Sequence, residues 1–283
     1  MKTISSKQEI QSISKSIKKA GNTIGFVPTM GFLHEGHLSI IRQSKLKCDV
    51  TVVSIFVNPA QFGPNEDFNS YPRDFERDQI LLENEGVDYL FFPSAEEIYS
   101  KNFQTFVDVE DITKKLEGEI RPTHFRGVAT VVLILLNSVQ PDFAFFGQKD
   151  AQQLAVIKQM VKDLNLSMEI ISCPIVREPD GLAMSSRNVY LSPSERKEAL
   201  VLFHSLELAK KNISSGERRT GHIISDMNKY FSKTPSANVD YTRIVEADTF
   251  EIADEIIGGN DYFILVACTI GKTRLIDNML ITI

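Results

Sequence analysis

The chain has 283 residues, 42% of them hydrophobic and 24% charged, the proportions of a globular fold with room for one large or two modest cores. Its formal net charge of −6 and isoelectric point near 5.5 argue against a nucleic-acid scaffold, because phosphate backbones select basic faces. No run of about 18 apolar residues is available to span a bilayer, residues 1–19 lack the continuous apolar stretch of a signal peptide, and the widely spaced Cys48, Cys173 and Cys268 read as reduced thiols of the cytoplasm.

Taken in order, Ile10, Ile13 and Ile17 recur at helical spacing, with Gly21 as a stop. Residues 22–27 read as a strand, ended by Pro28, which has no N–H to give a ladder. Gly31 and Gly36 mark places where the backbone bends or comes close to a ligand. Leu38, Ile40 and Ile41 begin an apolar helical face. His34 and His37, three residues apart at this strand-to-helix turn, lie on one side of the helix start. A helix N-terminus after a parallel strand offers unpaired N–H groups and a positive dipole end, which suit phosphate. Two histidines could instead be zinc ligands, but no third ligand pattern is near and no Cys-x-x-Cys occurs.

The β-branched run 50–57 reads as a buried strand and ends in the Pro/Gly loop 58–64, at the strand end where open α/β sheets bind ligands. Residues 74–85 form a helix stopped by Gly86, residues 89–92 a short strand, and 103–109 an alternating edge strand. The polar segment 116–127 gives way to an apolar helix over 128–139. A strand over 142–146, a helix over 152–164 and a strand within 168–175 complete the alternation. This order predicts an α/β fold, a Rossmann-like doubly wound parallel sheet. Beyond residue 175 the texture changes to helices over 193–211 and 222–231, and strands over 239–245, 262–270 and 273–283. These read as a second, smaller α+β domain, giving boundaries of 1–175 and 176–283. Gly271-Lys272-Thr273 has a P-loop ending, but Val266 stands where that motif needs glycine, so it reads as a hairpin turn.

Two further stretches carry chemistry. Gly147-Gln148-Lys149-Asp150 lies between a strand end and a helix start, where Lys149 can set a cation against phosphate and Asp150 can cap the helix. Met184-Ser185-Ser186-Arg187 offers two hydroxyls and a planar multi-donor guanidinium able to wrap a triphosphate. Each stretch alone reads more readily as an ordinary capped helix or solvated linker.

Together, Pro28-Thr29-Met30-Gly31 with His34-Glu35-Gly36-His37, Phe146-Gly147-Gln148-Lys149-Asp150-Ala151-Gln152-Gln153 and Met184-Ser185-Ser186-Arg187 resemble the pantoate–β-alanine ligase family of the nucleotidylyltransferase superfamily, which shares an H-x-G-H motif with class I aminoacyl-tRNA synthetases. The chain departs from the family pattern at Gln148 (usually Glu), Ala151 (usually aromatic), Thr123 (commonly Gly) and Ile134 (an expected lysine). The resemblance implies ATP-dependent condensation of (R)-pantoate with β-alanine through a pantoyl adenylate, releasing AMP and pyrophosphate. It implies ATP contacts from Pro28, Thr29, Met30, Gly31, His34, His37, Gly147, Gln148, Lys149, Asp150, Val176, Met184, Ser185, Ser186 and Arg187. His34, His37, Lys149 and Arg187 would be catalytic, with His37 also a proton donor. Gln61, Gln153, Asn58 and Tyr71 would bind pantoate or β-alanine, since a glutamine amide offers a carboxylate and hydroxyls both donors and an acceptor. Mg²⁺ on ATP, with its protein ligands not readable from the sequence, a cytoplasmic homodimer and a C-terminal domain closing over the site complete the expectation, with no nucleic-acid or membrane partner. The rivals are a nucleotidylyltransferase acting on a phosphorylated acceptor, a tRNA synthetase fragment, and a non-catalytic nucleotide-binding regulator.

Overall fold

The computed structural model describes residues 1–64 and 66–283. The chain divides into two compact units, Met1–Gln148 with Gln152–Pro174, and Lys149–Ala151 with Ile175–Ile283.

The first unit runs β1 (Lys2–Ile4), α1 (Lys7–Lys19), β2 (Ile24–Thr29), α2 (Glu35–Lys47), β3 (Val50–Ile55), α3 (Phe75–Asn84), β4 (Tyr89–Phe91), α4 (Ala95–Ile98), α5 (Glu117–Ile120), α6 (His124–Val139), β5 (Phe143–Gly147), α7 (Ala151–Asp163) and β6 (Glu169–Cys173). Its six strands pair in parallel in the order β1-β4-β3-β2-β5-β6. The strand order therefore reverses between β2 and β5, the topological switch point beside which doubly wound sheets bind ligands. Val27, Val53, Leu90 and Phe145 of the sheet pack with Leu33, Leu38, Ile41 and Leu82 into one buried cluster. Local signals fix the helix starts: Ser6 and Asp74 accept the Glu9 and Arg77 amides as N-caps, satisfying donors that a first turn leaves open.

The second unit holds α8 (Pro193–Glu198), α9 (Leu200–Ser214), α10 (Thr220–Phe231), β7 (Ala237–Glu246), β8 (Asp261–Ile270) and β9 (Thr273–Thr282). The strands form an antiparallel sheet, β7-β8-β9. Leu202, Leu206, Ile223, Met227, Ile264, Val266 and Leu275 belong to its core. Gly271, at φ +58°, turns the β8–β9 hairpin, as its sequence read.

Several expectations are corrected. Pro28 does not end β2: the strand runs on to Thr29, with Pro28 opposite Ser54 of β3. Ile24 gives its carbonyl toward β5 and Thr29 toward β3, so the even-numbered backbone groups face β5. Pairing with β5 stops at Phe26, leaving no ladder bond at Pro28 for the missing N–H to break. Residues 103–109 form no strand. The Val107 amide goes to the Thr130 hydroxyl at 2.9 Å, and the Arg126 guanidinium covers the Phe106 ring at 4.1 Å, so this stretch is held by α6 side chains. The helix expected from residue 128 begins at His124, and the helix expected over 193–211 breaks at the fully buried Ala199 into α8 and α9. β1, with three residues, is too short for a periodic signal. Gly36 is no bend; it sits in the first turn of α2.

Candidate active site

In the first unit the histidine turn is a built object. After β2 the chain reverses through Gly31 (φ +81°) and Phe32 (φ +50°), a conformation an L side chain rarely adopts without support. The support is Asp78 in the first turn of α3. It is 1% exposed, and its two carboxylate oxygens accept the amides of Phe32 at 2.6 Å and Leu33 at 2.7 Å. Burial pushes the Asp78 carboxyl up from its ordinary range against the pull of those two amides. The Thr29 hydroxyl donates to the Ser54 carbonyl at 2.8 Å and accepts from the Gly31 amide at 3.2 Å, closing the turn on its other side. Gly147, at the end of β5, comes close to α2: a Cβ added there would lie 3.3 Å from Ile40 Cδ1.

His34 is the N-cap of α2 and shares a reciprocal capping box with His37. The Gly36 amide donates to His34 Nδ1 at 3.2 Å, and the His34 amide donates to His37 Nδ1 at 3.3 Å. The ring centroids are 4.1 Å apart. Since Nδ1 of each ring accepts, the proton of each neutral imidazole belongs on Nε2. Two Nε2–H donors are thus fixed at the positive end of a 13-residue helix, where an anion is favoured.

The turn at Pro59–Gln61, following β3, presents Gln61, which is buried and donates to Met30 Sδ at 3.0 Å. Asn58 is 1% exposed and fully engaged. Its amide donates to Gln61 Oε1 and the Gly127 carbonyl, both at 3.1 Å, and its oxygen accepts from Tyr99 Oη at 2.7 Å. Asn58 accordingly orients Gln61. His124 closes the other side, with Nδ1 2.9 Å from the Gln61 carbonyl; because a carbonyl only accepts, this nitrogen carries the proton. Burial, then the neighbouring Arg121 charge, push the His124 pKa down to about 4. Arg121 is paired with Glu66 at 2.6 Å. Burial raises the Glu66 carboxyl, but the Arg121 bond and charge prevail and hold it below its usual range. Tyr71 is buried with its ring edge-to-face on Phe62. Of the adjacent glutamines, Gln152 is tied: its amide donates to the Ile112 and Lys115 carbonyls at 2.7 Å, and its oxygen accepts the Glu117 amide at 3.0 Å. Half-buried Gln153 makes none of these bonds.

In the second unit, Lys149 follows Gln148 in a 3₁₀ turn, Gln148–Asp150. Its ammonium is 3.8 Å from Asp150 Oδ1, a loose pair. The loop bearing Met184-Ser185-Ser186-Arg187 is a tight hairpin at its base, where Arg177 bridges Ala183 and the Val176 carbonyl accepts the Met184 amide at 3.0 Å. Ser185 caps the turn Ser186–Tyr190, its hydroxyl accepting the Arg187 amide at 3.3 Å. Sequence reasoning missed Asp78 and His124 as the Gln61 support. Each acts through the backbone of a residue far away in sequence, which no local motif reports.

Among the described residues no group of three or more His, Cys, Asp or Glu is placed to hold a metal ion, and no helix is long and apolar enough to cross a membrane.

Comparison with known proteins agrees across the whole chain. The family model described as pantoate-beta-alanine ligase matches residues 2–280. The chain is 58% identical to the pantothenate synthetase of Caldicellulosiruptor bescii over 97% of its own length and 96% of the relative's. It is 52% identical to that of Thermotoga petrophila, over 99% and 100% of the two chains. Among solved structures, the pantothenate synthetase of Thermus thermophilus superposes with a TM-score of 0.92 at 42% identity, covering 99% of each chain. The Francisella tularensis pantoate-beta-alanine ligase, complexed with beta-gamma ATP and beta-alanine, gives 0.80 at 36% identity, covering 99% and 97%.

Proposed function

The chain belongs to the pantoate–β-alanine ligase family, enzymes that use ATP to join pantoate to β-alanine, and we propose that it does so in two displacements on one nucleotide. In the first, a pantoate carboxylate oxygen attacks the α-phosphorus of ATP. The bond to the β-phosphate oxygen breaks, and pyrophosphate leaves with that electron pair. In the second, the β-alanine amine attacks the acyl carbon of the pantoyl adenylate. AMP leaves, the nitrogen loses a proton to solvent, and the amide of pantothenate remains.

The observation that carries the residue assignment is the reciprocal capping of His34 and His37. Phosphoryl-type transfer asks a protein for positioning and charge stabilisation, and two fixed Nε2–H donors meet charge as it builds on phosphate oxygens. Full proton transfer from His37 would start from an imidazolium, whose Nδ1–H would face the His34 amide; hydrogen-bond donation is therefore its assigned role. Lys149 and Arg187 supply cations to the same phosphates, with Ser185 and Ser186 as neutral donors. Pro28, Thr29, Met30, Gly31, Gly147, Gln148, Asp150, Val176 and Met184 line the nucleotide's path. Gln61 and Gln153 bind pantoate, and Tyr71 adds an apolar wall. Asn58 contributes through Gln61. Mg²⁺ arrives on the ATP phosphates, which with water satisfy its preference for oxygen ligands. The enzyme is assigned to the cytoplasm as a homodimer, in keeping with the family resemblance.

The test is pyrophosphate release from Mg-ATP with (R)-pantoate present and β-alanine omitted. The expected result is a pantoate-dependent burst of about one equivalent per site that turns over only when β-alanine is added, as ping-pong chemistry requires. His37→Ala should abolish the burst. Release that ignores pantoate but follows a phosphorylated acceptor would overturn this reading in favour of a nucleotidylyltransferase; binding of ATP without turnover would favour a regulator.

A further inference from the structure

Asp277 and Asn278 lie side by side on β9 and are 3% and 1% exposed, a costly place for a carboxylate and an amide unless each is bonded. The Asp277 carboxylate takes the Arg177 guanidinium bidentately, at 2.6 and 3.0 Å, and also accepts the Asn278 amide at 2.8 Å. The remaining reach of Arg177 goes to the Gly181 carbonyl at 3.1 Å and the Asn278 carbonyl at 3.2 Å, with its plane 4.9 Å over the Phe203 ring. Arg177, whose backbone bridges Ala183, thereby ties the turn of the hairpin that leads into Ser185-Ser186-Arg187 to β9. Gly181 (φ +102°) lets the turn lie against Phe203, whose ring a Cβ would strike. The other arm is Asn278, whose side-chain amide donates to the Lys149 carbonyl at 2.9 Å.

We propose that Asp277–Asn278 is a two-armed strut that sets the position of both cationic groups at once, Lys149 through its backbone carbonyl and Arg187 through the Arg177-pinned hairpin. The inference rests on the assignment of Lys149 and Arg187 to the ATP phosphates. Asn278 is a positioning residue: it acts through Lys149 and touches no substrate. Strand β9, paired along its whole length with β8, is a rigid mount for this purpose, and elements of regular structure hold a group more precisely than loops do.

The experiment is a double-mutant cycle read on the rate constant of the pantoate-dependent pyrophosphate burst. Asn278→Leu keeps the heavy-atom count and the branch at Cγ and removes the donor. It should slow the burst about tenfold or more, as small misplacements of a reacting group do, while the KM for pantoate changes by less than about threefold. In a Lys149→Ala background the same change should slow the burst by less than about twofold, because groups acting as a unit are non-additive. An equal loss in both backgrounds would show a merely structural role and overturn the proposal, as would an unslowed burst in Asn278→Leu. If Asn278→Leu does not fold, Asn278→Ser, too short to reach the Lys149 carbonyl, takes its place with the same expectations. Lys149→Ala measured alone reports separately on the underlying assignment: a burst at the wild-type rate would refute that assignment, whatever Asn278 does.

Discussion

Replacing Asp78 by asparagine tests whether the histidine turn is held from α3. The wild-type carboxylate gives one oxygen to each of two backbone amides, Phe32 and Leu33, at 2.6 and 2.7 Å. Asparagine keeps one acceptor and turns an NH₂ donor toward the other amide. A buried N–H left without a partner costs about 1–3 kcal/mol, and the surviving bond, no longer charge-assisted, weakens by about 1 kcal/mol. The sum is about 2–4 kcal/mol of lost stability, concentrated on a turn that already carries two positive-φ residues. With a denaturant slope of about 3 kcal/mol/M in urea, that lowers the unfolding midpoint by roughly 1 M. The catalytic effect follows from geometry: His34 is the next residue after Leu33, so the slack passes into the capping box, and the burst rate should fall about 10- to 100-fold. Urea unfolding followed by circular dichroism, with the burst measured on the same preparation, checks both. A midpoint unchanged within about 0.2 M together with a burst within twofold of wild type would refute the clamp.

His124 predicts an acid-sensitive fold. Its folded pKa near 4 lies below its ordinary 6.5, so the unfolded chain takes the proton first. Stability it contributes is full above about pH 6.5, is lost as pH falls toward 4, and amounts to about 3 kcal/mol. His124→Asn should shrink the stability difference between pH 7 and pH 4.5 by about that amount, measured by denaturant titration against wild type. Gly127→Ala would drive a Cβ into the Ala60 carbonyl and Gln61 amide. It should destabilise the fold by about 1–3 kcal/mol and raise the KM for pantoate more than that for ATP. Nitrogen NMR of labelled protein should find the His34 and His37 protons on Nε2 near neutral pH, with Nδ1 unprotonated; the opposite tautomer at either ring would contradict the capping box.

Much of the fold is legible because its signals are local. The β-branched run at Val50–Ile55, the apolar stripe of α1, the caps at Ser6 and Asp74 and the glycine turn at Gly271 are each set within a few residues. Alternation of strand and helix then leaves little choice but a parallel sheet. The residues proposed for phosphate chemistry stand out for a related reason: such chemistry needs a helix start, imidazoles and cations in short order, and His34, His37, Lys149 and Arg187 stand in three short strings.

What the sequence could not decide depends on partners distant along the chain. Pro28 reads as a strand breaker and is not one, because whether its absent N–H matters depends on where β5 stops pairing. Residues 103–109 alternate like a strand, yet their bonds go to Thr130 and Arg126 on α6. Of the adjacent Gln152 and Gln153, only the tertiary structure tells which is spent on carbonyls 37 and 40 residues away. Asp78 and Asn278 look in sequence like an ordinary helix residue and a strand polar residue. Burial makes them what they are: with water excluded, each must find a backbone partner, and the backbones they find are those of Leu33, beside His34, and of Lys149.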